Sequence, residues 1–273
     1  VEKTLVNNEP VEKLLFKDPA TKKRIVEEEE VPFYKLQTRS IFGKNRFIDP
    51  NNIDNYLAVG GYQALGKALY EMKPKEIITE VKEANLRGRG GGGFPAAIKW
   101  TSCSKHDGPK YVICNADEGD PGAYMDRGLL EGNPHCIIEG MIIGAYAIGS
   151  NDGYVYVRHE YPLAVANLKN AINQAHEMGL LGKNILGSGF DFDLHISKGG
   201  GAFVCGESTA LMASLEGKPG RPKAKYIHTS EKGFRDSPSN LNNVETWANV
   251  PLIINKGAKW YASMGTEYSK GTK

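Results

Sequence analysis

The sequence is poor in cysteine, in net charge of either sign and in long apolar runs, and each shortage excludes a class of function. Its four cysteines, Cys103, Cys114, Cys136 and Cys205, form no C-x-x-C pair and no cysteine–histidine cluster, so neither a zinc site nor a disulfide framework is expected. With 34 Lys and Arg against 32 Asp and Glu the formal charge is +2, too small for a broad attraction to nucleic acid. No apolar run approaches bilayer length; the longest candidate is the helix-like stretch 137–148, and no membrane segment is expected. No secretory signal opens the chain, and a reducing cytoplasm fits the cysteine usage. With Val1 in place of an initiator Met, a processed or fragmentary polypeptide is expected. What is abundant is glycine, 32 residues that cluster rather than spread. The rest of the 273 residues, 40% hydrophobic and 24% charged, describes a soluble globular protein of one or two domains.

Residues 1–55 mix charge runs such as 27–30 with Pro10, Pro19 and Pro32 and sustain no periodicity. They read as an extended arm with short helices, either a strap to another polypeptide of an assembly or a solvated extension. From Tyr56 onward, Leu57, Gly61, Leu65, Ala68 and Leu69, then Ile77, Ile78, Val81 and Ala84, recur at helical spacing with Pro74 between the two groups. Two helices are therefore predicted to lead into the glycine cluster. Beyond it, short β-branched or aromatic runs alternate with helical patterns, as where crossover helices join strands into a parallel sheet. Strands are predicted over 111–114, 154–157 and 191–197, and helices over roughly 135–147 and 162–179. The expected fold is α/β, a Rossmann-like parallel sheet with flanking helices over 56–250, preceded by a helical N-terminal segment. After Pro251 the pattern changes, and 251–273 reads as the start of a following unit.

Three glycine turns carry the chemistry. In the first, Gly88, Arg89, Gly90, Gly91, Gly92 and Gly93 precede Phe94, Pro95 and Lys99. Successive glycines bring backbone N–H groups close to a ligand, a following helix adds its positive end, and two arginines and Lys99 add charge, all of which suits a phosphate. A helix is predicted ahead of these glycines where the dinucleotide fingerprint needs a strand, so this is not an ordinary Rossmann motif. A flexible loop is the bland alternative, disfavoured by the interleaved arginines and the Phe-Pro. The second turn, with Asn115, Asp117, Glu118 and Asp120, leaves the carboxyl end of a predicted strand, where open α/β sheets place ligands. Its carboxylates could bind a metal, act as acid and base, or accept from the hydroxyls of a sugar or polyol. Calcium-loop spacing and histidine are both missing, which favours hydroxyls, with a plain acidic turn before a helix capped near Asp126 as the alternative.

The third turn, 199–211, contains Phe203, Cys205, Gly206, Glu207 and Ser208 and opens a helix running towards Gly217, so its N–H groups can meet an anion or a ring edge. Cys205 could be a nucleophile, but no histidine is near in sequence and a buried packing role is favoured. Lastly, Asn240, Asn242, Asn243 and Thr246 stand ahead of a short helix, either to clamp the edge of a flat heterocycle or to cap that helix.

These four blocks, in this order, resemble the family of flavin subunits of respiratory complex I and its soluble relatives, the beta subunits of NAD(P)-linked hydrogenases and formate dehydrogenases. The wording at 32–35, 48–50 and 61–65 is similar to the hydrogenase branch, which includes electron-bifurcating enzymes. The resemblance implies an FMN site. Gly88 to Gly93 and Lys99 would lie against the flavin and its phosphate region, with Phe94 flanking a nicotinamide nucleotide. Asn115, Asp117 and Glu118 would hold the ribityl chain or ring edge, Gly206 and Glu207 would cover the flavin, and Asn242, Asn243 and Thr246 would complete the pocket. Hydride transfer with NAD(H) or NADP(H) would then need no catalytic side chain, and single electrons would pass to iron–sulfur subunits and a hydrogenase or formate dehydrogenase partner.

This chain departs from the complex I pattern at Ser208, where a second glutamate is usual, at Asp120, where glutamate is usual, and at Ser102, where a second phenylalanine is usual. Loss of the carboxylate at Ser208, with Lys225 and its neighbours Arg221, Lys223 and His228 close in sequence, makes NADP(H) as reasonable as NAD(H), unless the basic run is only a solvated loop. The family's cysteine-rich cluster domain has no counterpart here, so an iron–sulfur cluster is expected only in a further C-terminal region or in partner subunits. Bifurcation is a narrower reading that rests on flavin potentials. The alternatives are a flavin-carrying component of the complex I type, a docking homologue without cofactor, and a dehydrogenase acting through Cys205 or Cys114.

Overall fold

In the computed structural model, which describes residues 2–224, 226–267 and 270–272, the chain divides into two units, residues 1–43 and 44–273. The first holds short helical turns, an antiparallel ribbon of β1 (Phe16–Lys17) and β2 (Arg24–Ile25), and one turn of helix, α1 (Pro32–Lys35). Asp18 closes the ribbon's loop by accepting from the Ala20 and Thr21 amides.

The second unit opens with three helices, α2 (Ile53–Ala58), α3 (Gln63–Glu71) and α4 (Pro74–Glu83), where the periodicity predicted two. Tyr62 takes a left-handed conformation ahead of α3, which breaks the apolar stripe running from Leu57 to Leu69. After the glycine loop comes α5 (Ala96–Ser104), then β3 (Tyr111–Ala116), α6 (Met125–Gly132), α7 (Pro134–Ile148), β4 (Asp152–Arg158), α8 (Pro162–Glu177), β5 (Asp193–Gly199), α9 (Ser208–Leu215), β6 (Ser239–Asn243), α10 (Val244–Lys256) and α11 (Ala258–Ala262).

All four strands β3 to β6 are parallel, in the order β5-β4-β3-β6, with Ile113 opposite both Tyr154 and Leu241. The chain steps outward from β3 to β4 to β5, then returns to lay β6 on the other side of β3. That reversal makes the β3/β6 boundary the switch point, whose carboxyl-end crevice is where doubly wound sheets take ligands. The segment 240–243, read from sequence only as amides ahead of a short helix, is this edge strand, and the helix after it runs for 13 residues through Pro251.

Helix α7, buried almost throughout, and α10 cross at close range over the sheet. A Cβ on Gly140 would lie 2.1 Å from the Trp247 carbonyl oxygen, so glycine is what permits the crossing. Trp247, fully buried, donates from its indole to the Ile113 carbonyl at 3.2 Å and so fixes α10 to the centre of the sheet. Among the described residues no helix is long and apolar enough to cross a membrane.

Candidate functional site

A cavity of about 550 Å³ lies at the carboxyl ends of β3 and β6. Its walls come from the three glycine turns predicted from sequence, brought together by the sheet: Gly88, Gly90, Gly92 and Gly93 with Phe94, then Asn115, then Gly206 with Glu207 and Ser208, closed by Asn242 and Asn243. Lys99 and Ser102 of α5 and the segment 228–231 complete it.

The first turn is a closed loop between two helices. Gly88 donates to the Phe94 carbonyl at 2.9 Å, Ala96 donates to that of Leu86 at 2.9 Å, and the Arg87 guanidinium holds the Gly93 carbonyl at 2.7 Å. Gly91 and Gly93 have φ of 98° and 59°, the left-handed region that glycine enters without strain. Lys99, one turn into α5, donates to the Leu241 carbonyl at 2.6 Å. Desolvation lowers its amine to about 8, so an anion placed beside it would recover the cost of the charge. Arg89 behaves differently from Lys99. Its backbone N–H donates to Thr246 Oγ1 at 2.9 Å, while its guanidinium turns away from the cavity to the Tyr261 hydroxyl and the Thr272 carbonyl, both at 3.1 Å, and stands 3.8 Å from Glu245. Thr246, fully buried, thus anchors the loop rather than lining the cavity.

In the second turn the predicted residues part company. Asn115 reaches across to the Gly206 carbonyl at 2.9 Å and accepts from the Asp117 amide at 3.0 Å, so it joins the second and third turns. Asp117 is buried in an ion pair with Arg158 at 3.0 Å; burial pushes its carboxyl up and the guanidinium opposes this. Glu118 spends both carboxylate oxygens on the amides of Asp126 and Arg127, each at 3.0 Å, and so caps α6. Asp120 is exposed and outside the lining.

In the third turn, Glu207 caps α9 by accepting from the Thr209 and Ala210 amides at 2.9 and 3.0 Å. Ser208 lines the cavity and donates to Glu207 at 3.1 Å. Phe203 lies over Gly119 and is 66% exposed, outside the lining. Lys225 falls outside the described residues. Cys205 is buried in an apolar cluster with Tyr156, Leu211 and Met212, the packing role favoured from sequence.

Two residues that sequence reading left unassigned organise the site. Arg158, at the end of β4, binds Asp117, Glu160 and the Gly201 carbonyl together, the last at 2.7 Å, and so ties the second turn to the third. The only signal was an arginine closing a hydrophobic strand. Asp126, buried at the start of α6, accepts from the Asn243 amide at 2.5 Å, while Asn243 Oδ1 caps α10 through the Glu245 amide. A larger cavity of about 770 Å³ lies between α4 and α5 and shares Ile98, Ser102 and Glu231 with the first, but is set back from the strand ends.

The site fits FMN. Asn242 Oδ1, on a lining residue, and Asp117 Oδ2, 3.4 Å from where a Gly206 Cβ would sit, are buried acceptors with no partner among the described residues, as ligand hydroxyl or ring N–H donors require. Gly90 passes so close to Asn243 that a Cβ would come within 3.3 Å, which leaves the loop's backbone as the cavity wall.

Residues 81–252 match the model of the Nuo51 FMN-binding domain. The chain is 54% identical over 240 residues to the HndC component of the NADP-reducing hydrogenase of Solidesulfovibrio fructosivorans, covering 88% of this chain and 49% of that protein. It is 51% identical over 223 residues to an NADH-quinone oxidoreductase component of Aquifex aeolicus, covering 82% and 52%. A crystal structure of an NAD+-reducing NiFe-hydrogenase in the H2-reduced state superposes with a TM-score of 0.70 at 38% identity, over 79% of this chain and 37% of that one. The chain spans about half the length of the curated relatives it matches. By the glycine cradle, the switch-point cavity and these likenesses together, the chain belongs to the Nuo51 FMN-binding domain family.

Proposed function

We propose that this chain is the FMN-dependent NAD(P)H oxidoreductase module of a larger cytoplasmic assembly, in which iron–sulfur subunits connect it to a hydrogenase or formate dehydrogenase. The observation that carries this reading is the cavity at the β3/β6 switch point, walled by three glycine turns and lined by one desolvated lysine and by Asn242 with its unpaired amide oxygen. Bound FMN supplies the chemistry, exchanging hydride with a nicotinamide and single electrons with iron–sulfur clusters. The protein's part is to hold and orient. Lys99 and the backbone of Gly88 to Gly93 take the phosphate region, Asn115 and Asp117 the ribityl side, and Asn242 and Asn243 the ring edge. Phe94, which lines the cavity and is 45% exposed, would flank an incoming nicotinamide nucleotide.

The domain division follows the same reading, with 56–250 as the flavin domain and 251–273 leading into a ubiquitin-like domain. Ser208 at the cavity wall, in place of a carboxylate, supports NADP(H) as a substrate, and the name of the Solidesulfovibrio relative agrees. The name of the Aquifex relative supports NADH instead.

Anaerobic bleaching of the flavin absorbance, with NADH and NADPH in parallel on FMN-loaded protein, tests the proposal. Bleaching by either nucleotide is the expected result, and bleaching by NADPH alone would support the role given to Ser208 and its basic neighbours. Retained FMN with no bleaching by either would overturn the oxidoreductase reading.

A further inference from the structure

Behind the wall formed by Asn243 lies a carboxyl group that no part of the flavin reading uses. Asp126 is 6% exposed and does not line the cavity, yet its Oδ2 accepts from Asn243 Nδ2 at 2.5 Å. Asn243 does line the cavity, and its Oδ1 is committed to the Glu245 amide at the start of α10. One amide proton therefore points at Asp126, the carbonyl end points at α10, and only the second Nδ2 proton remains for the cavity. Asp126 and the Glu245 amide thus hold the two ends of the side chain, and loss of Asp126 would free the Nδ2 end.

We propose that Asp126 is a positioning residue for the flavin: together with the Glu245 amide it fixes which atom of Asn243 faces the ring, and it sets, from behind the wall, the electrical potential that reduced flavin meets. The inference rests on the FMN reading.

The surroundings give this carboxyl a proton to lose. Burial, the largest cause, and the charges of Glu118 from the turn after β3 and Glu245 from α10 disfavour its ionised form, hydrogen bonds from Asn243 and the Glu245 amide oppose them, and the balance raises it to about 7. Cys114 on β3 and Tyr161 ahead of α8 are the other titratable groups that feel it, and both are held in their neutral forms by burial. Neither nearby guanidinium meets it: Arg127 turns to Glu131 at 2.8 Å, and Arg89 stands at Glu245. A charge that appears behind Asn243 as pH rises through neutrality opposes the negative charge that reduction brings to a flavin, so the potential must fall more steeply there.

The test is the midpoint potential of bound flavin as a function of pH, in the holoprotein and in Asp126→Asn. The two curves should coincide below about pH 6. Above about pH 8 the variant should be the more positive, with a ratio of reduced- to oxidised-flavin affinity about tenfold above that of the wild type, the equivalent of one pKa unit. Curves that run parallel at every pH would overturn the proposal, since a merely structural defect gives a constant offset. Infrared spectra of the wild type keep the test alive if the variant does not fold: a protonated-carboxyl band gained on reduction, strongest between about pH 7 and 8 and weak at about pH 6, is expected, and its absence would also overturn it. Wild-type protein that takes up no FMN would overturn the flavin reading itself, an outcome distinct from flavin bound with no pH-dependent difference.

Discussion

Arg158 Nη1 lies 3.0 Å from Asp117 Oδ1, a contact between residues 41 apart in sequence that joins the ends of neighbouring parallel strands. Both side chains are removed from water, at 10% and 1% exposure, so the pair is not a surface ornament. Its geometry makes the second and third glycine turns one body: the same guanidinium also holds Glu160 and the Gly201 carbonyl.

Removing one partner should therefore do more harm than removing both. Arg158→Ala leaves the buried Asp117 carboxylate uncompensated and should cost about 3 kcal/mol of stability. Pairing it with Asp117→Asn should return part of that loss. Urea denaturation of the two single variants and the double variant gives the coupling, and additive effects would show that the pair does not act as a unit.

Lys99 predicts how flavin affinity depends on pH. Its amine is lowered by burial from an ordinary value of 10.5 to about 8. Between those values the unfolded chain binds a proton that the apo fold does not, so stability of the apo protein should rise as pH climbs from about 8 towards 10.5. A bound phosphate favours the charged amine, so above about pH 8 binding must take up a proton and FMN affinity should fall. Lys99→Ala should weaken FMN by about ten- to a hundredfold at neutral pH, the worth of a charge-assisted contact, and flatten that decline. Fluorescence titration from about pH 6 to 10 reads both effects.

How much of this was legible beforehand depends on where each signal resides. The runs 111–114, 154–157 and 191–197 announced β3, β4 and β5 because β-branched and aromatic residues there alternate with helical patterns. Strand β6 was hidden: Ser-Asn-Leu-Asn-Asn is a composition that strands usually avoid, and pairing with β3 imposes it. Its buried amides help each other, since Asn240 and Asn242 share one face and Asn242 donates to Asn240 at 2.9 Å. The glycine turns were visible as local composition, whereas Glu118 and Glu207, legible as acidic residues near a ligand, turn their carboxylates to the starts of α6 and α9. Arg158 and Asp126 work through partners far along the chain, which no local window contains.

Arg89 should separate from Lys99 in any mutational series, although both stand in the same glycine-rich segment. Its guanidinium is engaged by Tyr261 and the Thr272 carbonyl, and Thr272 in turn donates to Asn249 of α10. Arg89→Ala is expected to speed hydrogen exchange in 257–264, while raising the FMN dissociation constant less than Lys99→Ala does. Equal losses of FMN in the two variants would instead place the Arg89 guanidinium at the flavin.

Nucleotide choice provides the sharpest test of a single position. Ser208 lines the cavity at the start of α9, with its hydroxyl turned to Glu207 at 3.1 Å. A glutamate there would put a second carboxylate beside the Glu207 cap, able to accept from an adenosine ribose hydroxyl but repelled by a 2′-phosphate. Ser208→Glu should therefore lower the rate of flavin bleaching by NADPH at least about tenfold, while that by NADH is unchanged or raised. The comparison is internal to one protein preparation, because a folding defect would slow both nucleotides alike. Loss of NADH bleaching with NADPH bleaching intact would assign the 2′-phosphate to another part of the cavity.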